Sequence, residues 1–284
     1  MPEATNWVTS HPLAAYAVLA VALSWAWWLP LALGTDDVRA GVGWPTHLPG
    51  LAGPALAVLI VTAIASGTAG LREVGSRLTR WQVGRWWLTV PAILLAGAAA
   101  LLASGGVEDA ADLTSYNGLP SSLGPLATIA VVLVVNGIGE ELGWRGFVAD
   151  RLLQRHGVVL TALLTTAVWA PWHAPLFFLV DSFEAFSPPE LIGWTLGLAS
   201  GAIVLTWIYA RSGRSVLLVA AWHTAFNFTS ATPAANGAVA ATTSTLVMFA
   251  ALAIVVAEWR SRPARPHRGA MPRIGASPNP RARR

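Results

Sequence analysis

The chain contains no cysteine and no lysine, and only 11% of its 284 residues are charged. The absence of cysteine excludes disulfides and thiolate metal sites, so His, Asp, Glu and Asn are the remaining candidate metal ligands. A soluble globular domain carries about 25% charged residues, whereas hydrophobic residues make up 55% of this chain. The composition therefore predicts a polytopic membrane protein.

Eight apolar runs approach the length of a membrane span, which takes about 20 predominantly apolar residues. In chain order, the candidate spans cover residues 13–33, 51–66, 86–104, 123–147, 158–180, 191–210, 216–230 and 239–257. They predict an all-α fold, a polytopic transmembrane helical bundle of about eight spans. We divide the chain into four regions: N-terminal helices with their loops (1–122), a membrane core that carries the polar motifs (123–230), a last transmembrane helix (231–259) and a basic tail (260–284).

All 18 basic residues are arginines, and all but Arg145 of span four lie outside the spans, mostly in alternate loops. They cluster between spans two and three, after span four, between spans six and seven, and after span eight, whereas the other loops hold acidic residues and one arginine, Arg39. Because positively charged loops stay in the cytoplasm, we expect both termini to be cytoplasmic in a multi-pass plasma-membrane protein. The tail is expected to be disordered and to contact anionic lipid. Nucleic-acid binding is not expected, and the sequence indicates no oligomeric state.

The fourth span carries charges inside an otherwise apolar run, in the sequence EELGWR at residues 140–145. A charged side chain at the bilayer centre costs about 2.5–3.5 kcal/mol on insertion scales, so such groups pair, face a polar cavity or do chemistry. Glu141 and Arg145 are four residues apart, which predicts an ion pair on one helix face. Glu140 points about 100° away from Glu141 and is predicted to be the carboxylate available as a general base.

Two later spans also carry polar side chains at membrane depth. In span five, His173 lies between Pro171 and Pro175, and each proline removes a backbone donor and kinks the helix. In span seven, His223 and Asn227 are four residues apart and share one helix face. Each motif alone is typical of a helix-to-helix hydrogen bond, but three such spans at similar depth predict a common site.

Two further groups of residues carry expectations of their own. Close helix approach is expected at the glycines near the charged stretch and on span six, namely Gly137, Gly139, Gly143, Gly146, Gly193, Gly197 and Gly201. The histidines outside the spans are expected to be solvated in loops or tails, and these are His11, His47, His156 and His267.

The three motifs, in this order on separate spans, resemble the CPBP family of intramembrane proteases, which includes type II CAAX prenyl endopeptidases and bacterial Abi-type relatives. The matching residues are Glu140, Glu141 and Arg145, then Trp169 and His173, then His223 and Asn227. The similarity covers roughly residues 123–230. One departure is Trp169, where the family usually has phenylalanine, and we expect this exchange to affect packing more than chemistry.

The resemblance implies hydrolysis of a peptide bond in a membrane-associated protein or peptide, with a prenylated CAAX-type C terminus as one candidate. It implies that Glu140 activates water with help from His173. His223 and Asn227 would either bind a metal or stabilise the tetrahedral oxyanion, whereas Glu141 and Arg145 would support the site. The cavity is expected to open toward the cytoplasm.

A catalytic metal is an alternative that the sequence leaves open. Two histidines and one glutamate form a known catalytic zinc set, so His173, His223 and Glu140 are candidate ligands for a divalent metal. Glu140 cannot easily be both a ligand and the general base. We therefore favour activation of water by Glu140, with metal assistance as the variant.

Two other functions fit the same residues. A non-enzymatic scaffold or immunity protein of this fold would keep the charged set for structural reasons. A proton-coupled transporter would use Glu140, His173 and His223 as a relay, but the chain shows no internal repeat of the kind that marks many transporters.

Overall fold

The computed structural model describes residues 7–34, 38–184, 186–235 and 237–261. Within them lie eight helices of 13 or more residues, at the positions where the sequence predicts spans. They are α1 (Pro12–Ala32), α2 (Leu48–Leu78), α3 (Gly84–Ala103), α4 (Pro125–Leu152), α5 (Val158–Trp172), α6 (Pro188–Arg211), α7 (Val216–Phe228) and α8 (Ala238–Arg260). The predicted all-α bundle is confirmed. His267 and the predicted tail contact with lipid lie outside the described residues.

Six of the eight helices, all except α5 and α7, are long and apolar enough to cross a membrane. α7 has 13 residues, which at 1.5 Å per residue gives roughly 20 Å, less than the ~30 Å hydrocarbon core. α5 has 15 residues and is continued by the 3₁₀ helix Ala174–Phe178. The chain is thus a multi-pass membrane protein, and the number of eight spans stays a prediction.

The arginine clusters of the described chain meet at one end of the bundle, which we call the arginine end. Arg77 of α2 and Arg214 of the α6–α7 loop both bind the carboxylate of Asp150 on α4, at 2.7 and 3.0 Å. Arg211 at the end of α6 pairs with Glu258 near the end of α8 at 2.9 Å. The alternation seen in the sequence therefore corresponds to one physical end, and its assignment to the cytoplasm stays a prediction.

Three loops are tied together at the opposite end. The backbone N–H of Val38 donates to Leu179 O at 2.8 Å, and that of Gly118 donates to Arg39 O at 2.9 Å. These bonds satisfy backbone groups of loops that pack against the bundle. The loops thereby form a cover over the bundle, from which Tyr116 points inward and is buried.

The charged stretch lies in the centre of the bundle on α4. Its backbone forms one α-helical segment, Gly139–Gly143, between two π-helical segments, Val132–Ile138 and Trp144–Ala149. Every residue from Gly139 to Asp150 is buried. π-Helical turns are rare and occur frequently at functional sites, so both the burial and the backbone of α4 single out this stretch.

Close helix packing explains the glycines of α4 but not those of α6. A Cβ atom on Gly139 would lie 2.8 Å from Leu51 O, and one on Gly143 would lie 2.2 Å from the Tyr16 hydroxyl. In contrast, a Cβ on Gly193 or Gly201 would meet no described atom within 4 Å. The expectation of close packing is wrong for these two α6 positions, because their faces are turned away from the other helices.

We expect Gly139→Ala to destabilise the protein by about 1–3 kcal/mol, because the added methyl group overpacks a rigid backbone contact. The matched control is Gly193→Ala, which adds the same group where there is open space and should change stability by less than about 1 kcal/mol. Thermal unfolding in detergent measures both. Equal melting temperatures for the two variants would contradict the observed packing.

Candidate active site

The buried carboxylate of Glu141 on α4 contacts two side chains, those of Arg145 and His223. Arg145 donates from Nη1 to Oε1 of Glu141 at 2.8 Å, and both side chains are fully buried. This is the ion pair that the spacing predicts. The same oxygen lies 2.8 Å from Nδ1 of His223 on α7. Because a carboxylate only accepts hydrogen bonds, Nδ1 carries the hydrogen, and Nε2 is the ring nitrogen left for a substrate.

His173 is oriented by the break in its helix. α5 ends at Trp172, and the backbone N–H of His173 donates to Ala170 O at 3.2 Å, in a tightened turn next to Pro171. The carbonyl of Trp169 is thereby freed from the regular helical bond and lies 2.8 Å from Nδ1 of His173. A carbonyl accepts only, so His173 also donates from Nδ1 and keeps Nε2 available.

Glu140 makes a contact that the sequence interpretation missed. The indole Nε1 of Trp169 donates to Oε2 of Glu140 at 2.7 Å, and both residues are buried. Oε1 of Glu140 has no hydrogen-bond partner among the described residues. Phenylalanine has no group that could donate this bond, so Trp169 contributes a polar contact as well as packing, and its effect on the chemistry stays a prediction.

Asn227 is held by a second amide that the sequence interpretation also missed. Its Nδ2 donates to Oδ1 of Asn136 at 2.7 Å. Asn136 is buried on α4, four residues before Glu140, so both side chains lie on the same face of that helix. The available signal was a lone amide within the apolar run of span four.

Tyr116 reaches the same region from the loop between α3 and α4. Its hydroxyl interacts with the Asn227 side chain, and its ring lies 5.7 Å from that of Phe228. Burial, together with the nearby charge of Glu140, raises the pKa of Tyr116 above its ordinary value, so the hydroxyl stays neutral. No spacing pattern points to this residue, because only the fold brings its loop over α4.

The structure thus gathers the residues that the three motifs predict. The ring of Trp169 lies 5.7 Å from that of His173 and 5.9 Å from that of His223, measured between centroids. The predicted residues that it brings together are the buried Glu140, Glu141, Arg145, His173 and His223 and the partly buried Asn227. Trp169 of the second motif joins them, and Asn136 and Tyr116 are additions.

The geometry does not support the predicted zinc set. Across the described part of the chain, no group of three or more His, Asp or Glu side chains is placed to hold a metal ion. Trp169 contacts Glu140, His173 and His223, and it occupies Oε2 of Glu140. The indole thus takes one of the two carboxylate oxygens of Glu140, and metal assistance stays an alternative prediction.

One histidine outside the cluster departs from its expected solvated state. His47 is buried, and its carbonyl accepts a 2.7 Å hydrogen bond from Nε1 of Trp28. Burial lowers the pKa of His47 to about 4, so it is neutral at physiological pH. The expectation of a solvated side chain is wrong because the loop cover packs His47 against the bundle.

A cavity lies at the arginine end, apart from the catalytic candidates. It has a volume of about 440 Å³ and is lined by α2 and α4, with Gly146 and Asp150 among its walls. Gly146 lies six residues after Glu140, roughly 9 Å along a helix that rises 1.5 Å per residue. Glu140 itself is only 2% exposed. The site is enclosed in this conformation, and its opening toward the cytoplasm stays a prediction.

Comparison with known proteins points to one family. Residues 122–229 match the family described as Rce1-like, type II CAAX prenyl endopeptidase. The "CAAX prenyl protease 2" of Methanococcus maripaludis is 24% identical over 211 residues, which cover 71% of this chain and 77% of that protein. The matched segment contains every residue of the three motifs. The predicted family and the predicted enzyme class, an intramembrane endopeptidase, are confirmed by these matches.

Proposed function

We propose that this chain, a member of the CAAX protease family, hydrolyses a peptide bond in a prenylated, membrane-associated protein or peptide. The observation that carries the proposal is the environment of Glu140. Its carboxylate is buried, has no ion-pair partner among the described residues, and is fixed through one oxygen by Trp169. A buried base with one oxygen available is suited to activate a water molecule.

The proposed reaction needs water and one base. Oε1 of Glu140 takes a proton from water while the water oxygen attacks the substrate carbonyl carbon. The tetrahedral intermediate then collapses, the carbon–nitrogen bond breaks, and Glu140 returns the proton to the leaving amine. The products are a carboxylate and an amine, and Glu140 ends as it began.

Polar groups around Glu140 supply the stabilisation that such an intermediate needs. His223 is proposed to act as an imidazolium, which keeps its Nδ1 hydrogen bond to Glu141 and also donates to the oxyanion from Nε2. Asn227 is proposed to donate to the same oxyanion from its side-chain amide. Glu141 orients His223 through Nδ1, and Asn136 orients Asn227. Donors held in place before the reaction are worth more in a water-excluded site than in bulk water.

His173 is proposed to act beside Glu140 on the attacking water. Its Nδ1 is held by the Trp169 carbonyl, so the direction of Nε2 is fixed by the backbone of α5. A neutral imidazole with this hydrogen arrangement can accept a hydrogen bond from water at Nε2. This supports the helper role that the family resemblance implies.

Two features support the proposed substrate and location. The name of the archaeal relative and the family description both refer to CAAX prenyl substrates, and prenylation attaches to the cysteine of a C-terminal C-a-a-X sequence. The arginine end, taken as cytoplasmic by the positive-inside rule, would face the inner leaflet of the plasma membrane, where such lipidated termini insert.

The test is a cleavage assay with the purified full-length protein in detergent or liposomes. A farnesylated peptide that ends in a C-a-a-X sequence should lose the residues that follow its cysteine, detected by mass spectrometry. The same peptide without the farnesyl group is the control and should be cut far more slowly. Absence of cleavage of the farnesylated peptide would overturn the proposed substrate class.

Asn136→Ala should lower kcat/KM about three- to tenfold, because the Asn227 amide loses a buried acceptor worth roughly 1 kcal/mol. The measurement is the peptide cleavage rate at low substrate concentration. Asn117→Ala is the matched control, because that amide donates to Ser182 Oγ at 3.1 Å in an exposed loop. An unchanged rate in Asn136→Ala would remove Asn136 from the site.

A further inference from the structure

We infer that Trp169 is a positioning residue for the general base, acting through an indole N–H that fixes one carboxylate oxygen of Glu140. The other oxygen, Oε1, is thereby directed at the water. This inference rests on the proposed function, since it assigns Trp169 a task within the same reaction. It gives the indole nitrogen, rather than the aromatic ring alone, a part in catalysis.

The hydrogen bond has a defined direction and connects two helices. An indole N–H only donates and a carboxylate only accepts, so the 2.7 Å contact has one possible polarity. Trp169 is 3% exposed and Glu140 is 2% exposed. Hydrogen bonds to ionised groups are stronger than neutral ones, and here no described group competes for Oε2.

The indole is held in its plane by the cluster itself. The guanidinium of Arg145 lies over the Trp169 ring, 4.3 Å from its centroid. The His223 ring meets the indole edge-on at 85°, with centroids 5.9 Å apart. Cation–π and edge-to-face contacts of this kind restrict the ring position. The Glu141–Arg145 pair thus contributes to holding the ring whose N–H donates to Oε2 of Glu140.

Trp169 also orients His173, the proposed helper of the base. Its backbone carbonyl accepts from Nδ1 of His173 at 2.8 Å. The base and its proposed helper are thus both oriented by one residue, the base through the side chain and the histidine through the main chain. Substitution of the side chain leaves the carbonyl in place, so the two roles can be separated experimentally.

The chemistry explains why such a donor helps. A general base must lie within hydrogen-bond reach of the proton that it removes. A free carboxyl group rotates about its last bond and presents either oxygen, whereas one tied oxygen leaves a single reactive direction. A donor aimed at a carboxylate also favours its charged form, which is the form that accepts the proton.

The test replaces Trp169 with phenylalanine, which keeps an aromatic ring for Arg145 but has no N–H. We expect kcat for the farnesylated C-a-a-X peptide to fall at least about tenfold. This is the change in rate that corresponds to the loss of one hydrogen bond to a charged group. KM should stay within about twofold, because the bond touches the base and not the substrate. The acid limb of the kcat/KM profile should move to higher pH.

A second variant separates the hydrogen bond from the ring shape. Incorporation of 3-benzothienylalanine at position 169 replaces the indole N–H with sulfur in a ring of nearly the same size. It should reproduce the kinetic defect and the displaced acid limb with less change in melting temperature than phenylalanine causes. Wild-type kinetics with this isostere would overturn the inference.

Trp28→Phe is the matched control, since its buried indole also donates a 2.7 Å hydrogen bond, here to His47 O. It should lower the melting temperature without moving the pH profile. If Trp169→Phe cleaves the peptide with an unchanged kcat and pH profile, the inference fails and the proposed function stands. If the wild-type protein does not cleave the peptide, the proposed function and the inference about Trp169 are both wrong.

Discussion

Glu140→Gln is expected to abolish peptide cleavage while the protein stays folded and inserted. Removal of a general base costs about 100-fold to 10,000-fold in rate, and the neighbouring carboxylate, Glu141, is already engaged through Oε1 by Arg145 and His223. Glutamine has the same shape and still offers a carbonyl oxygen to Trp169. The measurement is the cleavage rate of the farnesylated peptide, together with the melting temperature in detergent.

The control for this substitution is Glu258→Gln, which changes a glutamate near the end of α8 that pairs with the exposed Arg211. That variant should keep full activity. Full activity in Glu140→Gln would contradict the assignment of Glu140 as the general base. A cellular phenotype that survives Glu140→Gln would instead support the scaffold or immunity function, and proton flux in liposomes would support the transporter.

Arg145→Ala is expected to destabilise the protein by about 3–5 kcal/mol, the typical result of removing one partner of a buried ion pair. Arg145 and Glu141 are both fully buried, so the remaining carboxylate cannot recover hydration. Trp169 also loses the cation above its ring. Unfolding in detergent, followed by heat or denaturant, measures the loss, and cleavage activity should fall with it.

A double variant distinguishes an uncompensated charge from lost packing. Glu141→Gln combined with Arg145→Met removes both charges and keeps similar volumes, and such replacements are often neutral. It should recover most of the stability lost in Arg145→Ala. Activity should stay low, because His223 no longer has a carboxylate at Nδ1. Equal instability of the single and double variants would show that packing, and not charge, explains the loss.

The exposed ion pair between Arg211 and Glu258 provides the reference for this experiment. Arg211→Ala breaks a pair in which the arginine side chain is 54% exposed. Exposed pairs contribute about 0–1 kcal/mol, so this variant should unfold close to the wild type. A large loss there would mean that the arginine end, rather than the buried site, limits the stability of the bundle.

Local periodicity explains which features could be predicted from the sequence. Residues four apart on a helix face the same way, so Glu141 with Arg145, and His223 with Asn227, follow from spacing alone. Apolar run length predicts the helices, and the arginine alternation predicts that their loops meet at one end. All these relations act over a few residues or depend on composition, and they hold without knowledge of the tertiary packing.

The partners that matter most for the chemistry are distant in the chain. Glu140 meets Trp169 of α5, Glu141 meets His223 of α7, and Asn227 meets an amide of α4. Spacing within one helix fixes a direction but not which neighbouring helix lies there. For the same reason, Gly193 and Gly201 of α6 suggested contacts that do not occur, and His47 was expected in solvent. The sequence by itself predicted the helices, the family and the candidate reactive groups. Only helix packing decided that one indole, that of Trp169, contacts the base and both histidines.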